Sequence, residues 1–95
     1  MVIERVELPI VPGKETDFEA AMVRGQALLA GADGCHSVSL ARGVESPSTY
    51  LLLLQWDSVD AHVAFTKTPA FAEFGQLAGP FFAGKPAMAH FAPVR

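Results

Sequence analysis

Hydrophobic positions along this chain repeat every two residues in some segments and every three or four in others. Residues 2–11 alternate and predict a first strand, which Pro12-Gly13 ends. Within it, Val2, Glu4, Val6 and Leu8 share one side of the backbone. The strand therefore offers one mainly apolar face to a core.

Residues 14–32 have helical spacing and predict a first helix, which ends at the glycine of Ala32-Asp33-Gly34. A glycine inside its apolar stripe, Gly25, is expected to let the helix approach another backbone closely. The stripe consists of Phe18, Ala21, Met22, Gly25, Leu28, Leu29 and Ala32.

The segment 50–56, Tyr-Leu-Leu-Leu-Leu-Gln-Trp, is a strand pattern without a polar side. A preceding strand over 35–42 and a loop over 43–48, too short for a crossover helix, predict an antiparallel hairpin. A strand that is apolar at nearly every position must be covered on both faces. This short chain can supply helices for one face, so we expect a second copy to cover the other.

A second helix begins after Asp57-Ser58, with Val59, His62, Val63 and Thr66 along one face. It is expected to break at Thr68-Pro69 and to continue with a stripe of Phe71, Phe74, Leu77 and Ala78, and residues 86–94 form the last strand. The order is strand, helix, strand, strand, helix, strand. We therefore predict one α+β domain over residues 1–95, with a ferredoxin-like antiparallel sheet and two helices on one face.

Composition narrows the classes of partner. The net charge of −3 gives no basic surface for nucleic acid or for a membrane. The single cysteine, Cys35, excludes an intramolecular disulfide and is expected to be structural. The charged first residues do not form a signal-peptide core, and no apolar run approaches the ~20 residues that span a bilayer. We expect a cytoplasmic protein.

A set of short sequence pieces occurs in a fixed order along the chain. The pieces are Val11-Pro12-Gly13-Lys14 before a helix with Phe18, Gly34-Cys35, Pro47, Tyr50-Leu51-Leu52-Leu53, Trp56-Asp57-Ser58, Ala61-His62, Phe71 with Phe74, Pro80-Phe81-Phe82, and His90-Phe91. Together they resemble the antibiotic biosynthesis monooxygenase family, within the dimeric α+β barrel superfamily. The resemblance covers essentially the whole chain.

The resemblance implies a homodimer that pairs sheet to sheet to form a barrel. It also implies oxidation of a small phenolic or quinol-type ring by O₂ in an apolar cavity between helices and sheet, with no metal, flavin or haem. Two alternatives stay open on the same scaffold. One is a non-enzymatic dimer that binds a small hydrophobic metabolite, and the other is an isomerase or ring-degrading enzyme.

His62 is the candidate catalytic base, because a histidine on the apolar side of the second helix could take a proton from a phenolic hydroxyl. The alternative is a half-buried histidine that holds the helix in place. The residues proposed for the substrate pocket are Trp56, Phe65, Phe74 and His90. The alternative for Trp56, Phe65 and Phe74 is core packing, and His90 could instead line the barrel.

Several other residues receive a structural interpretation. Tyr50 is expected at an edge or interface and Arg42 in solvent, whereas His36 could line the cavity or the barrel. The three histidines lack paired spacing, so a zinc site is not expected. The chain contains no asparagine, which argues against haem oxygenation because haem-degrading relatives use an Asn on the first strand.

Overall fold

The computed structural model describes residues 1–94. It has the predicted order of elements, with the second helix divided in two and a short 3₁₀ turn added. The elements are β1 (Val2–Pro9), α1 (Glu15–Ala30), β2 (Cys35–Arg42), β3 (Thr49–Trp56), α2 (Val59–Phe65), α3 (Pro69–Ala78), the 3₁₀ turn (Gly79–Phe81) and β4 (Ala87–Phe91).

The four strands form one antiparallel sheet in the order β2-β3-β1-β4. The predicted hairpin between β2 and β3 is present. In the register of the sheet, Glu4 lies between Leu54 of β3 and His90 of β4. Cross-strand neighbours share a face, so Glu4 and His90 point to the same side of the sheet. The last strand is shorter than the predicted 86–94.

The helix α1 packs one stripe against the sheet, and its buried residues Phe18, Met22, Gly25 and Leu29 all belong to the predicted stripe. The reason given for Gly25 was wrong. A Cβ there would lie 3.4 Å from the ring of Phe74, so the glycine admits a side chain of α3 and not another backbone.

Both parts of the second helix begin at capping hydroxyls. Ser58 accepts a hydrogen bond from the backbone N–H of Ala61, and Thr68 accepts one from Phe71 next to the predicted break at Pro69. The face assigned to α2 was only partly right, because Val59 and Val63 are exposed whereas His62 and Phe65 are buried. In a helix of two turns, residues three apart suffice to contact the sheet.

The two faces of β3 differ in cover. Tyr50, Leu52, Leu54 and Trp56 point inward and are buried, while Leu53 on the outer face is 36% exposed. The expectation that Tyr50 lies at an edge or interface was wrong, because β3 is a central strand and its inner face is covered by α1. Phe18 of α1 packs edge-on against the ring of Tyr50, with ring centroids 4.8 Å apart.

Within residues 1–94, no helix has both the length and the apolar character needed to cross a membrane.

Candidate functional site

A cavity of about 300 Å³ lies between the inner face of the sheet and the helices α2 and α3. Its walls are mainly aliphatic and aromatic, and its polar side chains are Glu4, His62 and Thr66. Ligand pockets in proteins typically combine apolar walls with a few placed polar groups. The walls include Val6, Leu52, Trp56, Phe65, Phe74 and Phe82.

Glu4 is a carboxylate buried at one end of this cavity. It occupies an inward position of β1, in line with Val6 and Leu8. Its Oε1 accepts a hydrogen bond of 2.9 Å from the indole Nε1–H of Trp56, which lies on the neighbouring strand. A buried carboxylate is costly unless it is well paired, and this one has a single full hydrogen bond to protein.

His62 lies beside this carboxylate. The first turns of α2 place its ring on the indole of Trp56, with ring centroids 5.1 Å apart and nearly parallel planes. Its Nδ1 lies 2.8 Å from Nε2 of His90, and its Nε2 lies 3.4 Å from Oε2 of Glu4. Both imidazole nitrogens therefore have a polar neighbour, but only the contact with His90 has the length of a hydrogen bond.

The hydrogen bond between the two histidines is compatible with either tautomer of His62. With the proton on Nδ1, His62 donates to His90 and the lone pair of Nε2 lies 3.4 Å from Oε2 of Glu4. With the proton on Nε2, Nδ1 accepts from His90 and the Nε2–H group lies beside the carboxylate. In both cases Nε2 is the ring atom next to Glu4.

The charge of His62 follows from its surroundings. Burial has the largest influence and lowers the pKa of His62 from its ordinary 6.5; the carboxylate of Glu4 opposes this change, and His90 adds to it. The ring is therefore neutral at pH 7. A neutral imidazole with a free lone pair at a cavity wall can accept a proton.

The structure brings the predicted site residues together. The cavity is lined by Trp56, His62, Phe65 and Phe74. His90 is not among the lining residues and contacts the ring of His62 instead. Sequence reasoning missed Glu4. The available signal was a charged residue at an inward position of a strand whose other inward residues are apolar.

The other histidine and the arginine considered from the sequence lie elsewhere. His36 is exposed and pairs with Asp57, because an irregularity in the pairing of β2 at Cys35 and Ser37 takes it out of register. Arg42 donates to the carbonyl of Pro47 at the opposite end of β3. Neither residue lines the cavity.

Cys35 is half-buried, and burial raises the pKa of its thiol. A raised pKa means less thiolate at neutral pH and therefore a less reactive sulfur. Among the described residues, no group of three or more His, Cys, Asp or Glu side chains is arranged to hold a metal ion.

Comparison with known proteins gives consistent matches. The sequence model of the antibiotic biosynthesis monooxygenase family matches residues 1–77. The uncharacterized protein YczJ of Bacillus subtilis is 30% identical over 95 residues, which cover 99% of this chain and 100% of that protein.

Two crystal structures named for antibiotic biosynthesis monooxygenases also match. The protein from Bordetella bronchiseptica is 37% identical with a TM-score of 0.94, over 99% of this chain and 97% of that one. The protein from Caulobacter crescentus is 26% identical with a TM-score of 0.87, over 99% and 90% of the two chains. The predicted α+β ferredoxin-like fold is confirmed by these matches.

Proposed function

The chain belongs to the antibiotic biosynthesis monooxygenase family, and we propose that it oxidises a small hydroxyl-bearing aromatic ring with O₂ in the cavity between its helices and its sheet. The observation that carries the proposal is the polar end of that cavity, where His62 lies beside the carboxylate of Glu4 among apolar and aromatic walls. Such walls exclude water from a reactive anion.

The reaction needs no electron donor besides the ring itself. The hydroxyl O–H breaks and its proton passes to His62, leaving an aryloxide. One electron moves from the aryloxide to O₂, and the two radicals join through a new C–O bond at the ring carbon para to the oxygen. The imidazolium of His62 returns its proton to the resulting peroxide, the O–O bond breaks and hydroxide leaves. The ring C–H proton joins that hydroxide to form water, and a quinone remains.

The residues divide these tasks. His62 is the base, and His90 is a positioning residue because its bond to Nδ1 keeps the lone pair on Nε2. The carboxylate of Glu4 stabilises the imidazolium that forms 3.4 Å away. Trp56, Phe65 and Phe74 form walls against which a flat ring packs.

Oxygen uptake with dihydroxyarene substrates tests this function. We expect turnover without added metal, and a loss of ~10²-fold or more in kcat for His62→Ala because general-base catalysis is of that size. His36→Ala is the matched control, since it removes an exposed histidine outside the cavity. An unchanged rate in His62→Ala removes His62 from the mechanism. Thermal stabilisation by ligand without oxygen uptake indicates a binding protein instead.

The same proposal includes a homodimer formed through the outer face of the sheet. Leu53 and Phe91 are exposed on that face at 36% and 50%, and the guanidinium of Arg5 lies over the ring of Phe91. Exposed apolar surface of this kind favours a protein partner. Sedimentation velocity is expected to give a dimer at micromolar concentration and a monomer for Leu53→Glu. The control Val23→Glu alters an exposed residue of α1 and leaves the dimer intact.

A further inference from the structure

In the tautomer that the proposed base requires, with the proton of His62 on Nδ1, two hydrogen-bond acceptors lie side by side at the polar end of the cavity. The other polar atom of each residue is already bonded within the protein. Oε1 of Glu4 is bonded to Trp56, and Nδ1 of His62 is bonded to His90. The atoms left over are Oε2 of Glu4 and Nε2 of His62, which are 3.4 Å apart. Both residues line the cavity, so a ligand there meets an acceptor pair.

An acceptor pair is satisfied only by two donors. A ligand with one hydroxyl group satisfies one of the two atoms and leaves the other buried without a partner, which weakens binding. Two hydroxyl groups on neighbouring ring carbons have oxygens ~2.7 Å apart, about one hydrogen-bond length. That spacing lets one O–H donate to Nε2 while the other donates to Oε2.

We propose that the cavity selects aromatic ligands with two adjacent hydroxyl groups, and that Glu4 is the residue that determines this preference. The inference rests on the proposed function for the role of the site, but it concerns binding alone. The base His62 takes one hydroxyl, and Glu4 takes the second.

The rest of the cavity limits the ligand further. Among the described residues that line it, the remaining side-chain hydroxyl is that of Thr66, which donates to the carbonyl of Val63 at 2.6 Å. The other walls are apolar, and a volume of about 300 Å³ lies at the lower end of ligand pockets. The ligand is therefore a neutral molecule of one or two rings, because a carboxylate would face Glu4.

Isothermal titration calorimetry under argon measures binding without oxidation. The probes are 2,3-dihydroxynaphthalene, whose hydroxyls are adjacent, and 2,6-dihydroxynaphthalene and 2-naphthol as matched ligands with separated or single hydroxyls. We expect the adjacent diol to have a Kd at least ~10-fold lower than either control, as for one additional satisfied hydrogen bond. Equal Kd values for the two diols, or no binding of any probe, overturn the inference.

Glu4→Gln tests the assignment to Glu4. The indole N–H of Trp56 needs an oxygen acceptor, so the amide oxygen faces Trp56 and the NH₂ group replaces Oε2 at the cavity. That NH₂ group can only donate to the second hydroxyl, so a neutral contact replaces the charge-assisted bond to the carboxylate. The ratio of the Kd values of the two diols is then expected to fall at least ~3-fold. An unchanged ratio in Glu4→Gln overturns the role of Glu4.

The control variant is Glu19→Gln, which changes a carboxylate bonded to Tyr50 at the other end of β3 and should leave all three Kd values unchanged. Failure of the proposed function is distinguishable from failure of this inference. Preferential binding of the adjacent diol, with no oxygen uptake in air from catechol, whose ring carbons para to the hydroxyls carry hydrogen, rejects the oxidation and supports the inference. Oxygen uptake together with equal Kd values for the two diols supports the oxidation and rejects the inference.

Discussion

The two ends of β3 carry similar pairs in different surroundings. At one end the hydroxyl of Tyr50 donates to the carboxylate of Glu19, and at the other the indole N–H of Trp56 donates to Glu4. Both aromatic rings are buried. The glutamates differ, because the side chain of Glu19 is 49% exposed whereas that of Glu4 is 8% exposed.

Under the proposed function, this difference separates a structural pair from a functional one. The ring of Tyr50 packs against Phe18, and the pocket of about 280 Å³ beside its hydroxyl group is bordered by the charged side chains of Glu19 and Arg42. The carboxylate of Glu19 is half exposed and lies 3.9 Å from Arg42, so it needs no further partner. Around Trp56 the carboxylate is buried, its second oxygen has only a long contact, and a cavity adjoins it. A buried charge with only part of its hydrogen bonds made adds little to the stability of a fold. The presence of the Glu4 carboxylate at the Trp56 end therefore favours a role in function.

Substitutions that remove the hydrogen-bond donor of Trp56 or of Tyr50 should therefore lower the free energy of unfolding by unequal amounts. Trp56→Phe keeps an aromatic ring but leaves Glu4 buried without its donor and removes ring volume next to the cavity. We expect the free energy of unfolding to fall by about 3 kcal/mol. Urea denaturation at pH 7 measures it. A loss below ~1 kcal/mol would mean that water reaches Glu4 through the cavity. The surroundings of Glu4 and Glu19 would then differ less than their exposed fractions suggest.

The corresponding change at the other end is Tyr50→Phe. Glu19 then bonds to water, so we expect a loss of only ~1 kcal/mol at pH 7. The pKa of Tyr50 is raised to about 12 by burial and by the carboxylate of Glu19, so the folded protein keeps the phenolic proton where the unfolded chain has lost it. Stability should therefore decline as pH rises from 10 towards 12. Tyr50→Phe should remove this part of the decline in a series of urea midpoints.

The ends of β3 also show what the sequence could reveal. Alternation, the Pro and Gly positions and the capping hydroxyls were enough to place the strands, the hairpin and the helix break, because these signals are local. They also identified His62 and Trp56 as neighbours of a cavity. The surroundings of Tyr50 were predicted wrongly, since whether a strand is central or at an edge depends on pairing between distant segments.

The cluster of polar side chains at the end of the cavity could not be predicted from local sequence patterns, because its members come from segments that are distant in the sequence. Glu4, His62 and His90 come from β1, α2 and β4, and the sheet register brings them together. The faces of α2 were also misjudged, because Val59 and Val63 are apolar yet exposed, and packing of a short helix overrides its own pattern.

Glu4→Gln separates stability from function at the Trp56 end. The amide keeps the bond to Trp56 but removes the buried charge, so we expect the free energy of unfolding to rise by ~1 kcal/mol while oxidation slows. Glu19→Gln, at the exposed pair, should stay within ~0.5 kcal/mol of the parent protein. A destabilised Glu4→Gln protein would show that the carboxylate supports the fold, and would make the two ends alike.

The smallest effect expected is an acid dependence that belongs only to the Trp56 end. Burial lowers the pKa of His62 below 6.5, so below that pH the unfolded chain binds a proton that the folded protein does not. The contribution of neutral His62 to the free energy of unfolding is fully present above pH 6.5. It declines as the pH falls below 6.5. Urea midpoints at pH 7.5 and 5.5 should therefore differ more for the parent protein than for His62→Gln. His36→Gln is the control and should keep the parental difference, because His36 is exposed and does not line the cavity. An equal difference in His62→Gln would show that the pKa of His62 is the same in the folded and the unfolded protein, so that burial does not disfavour its charged form.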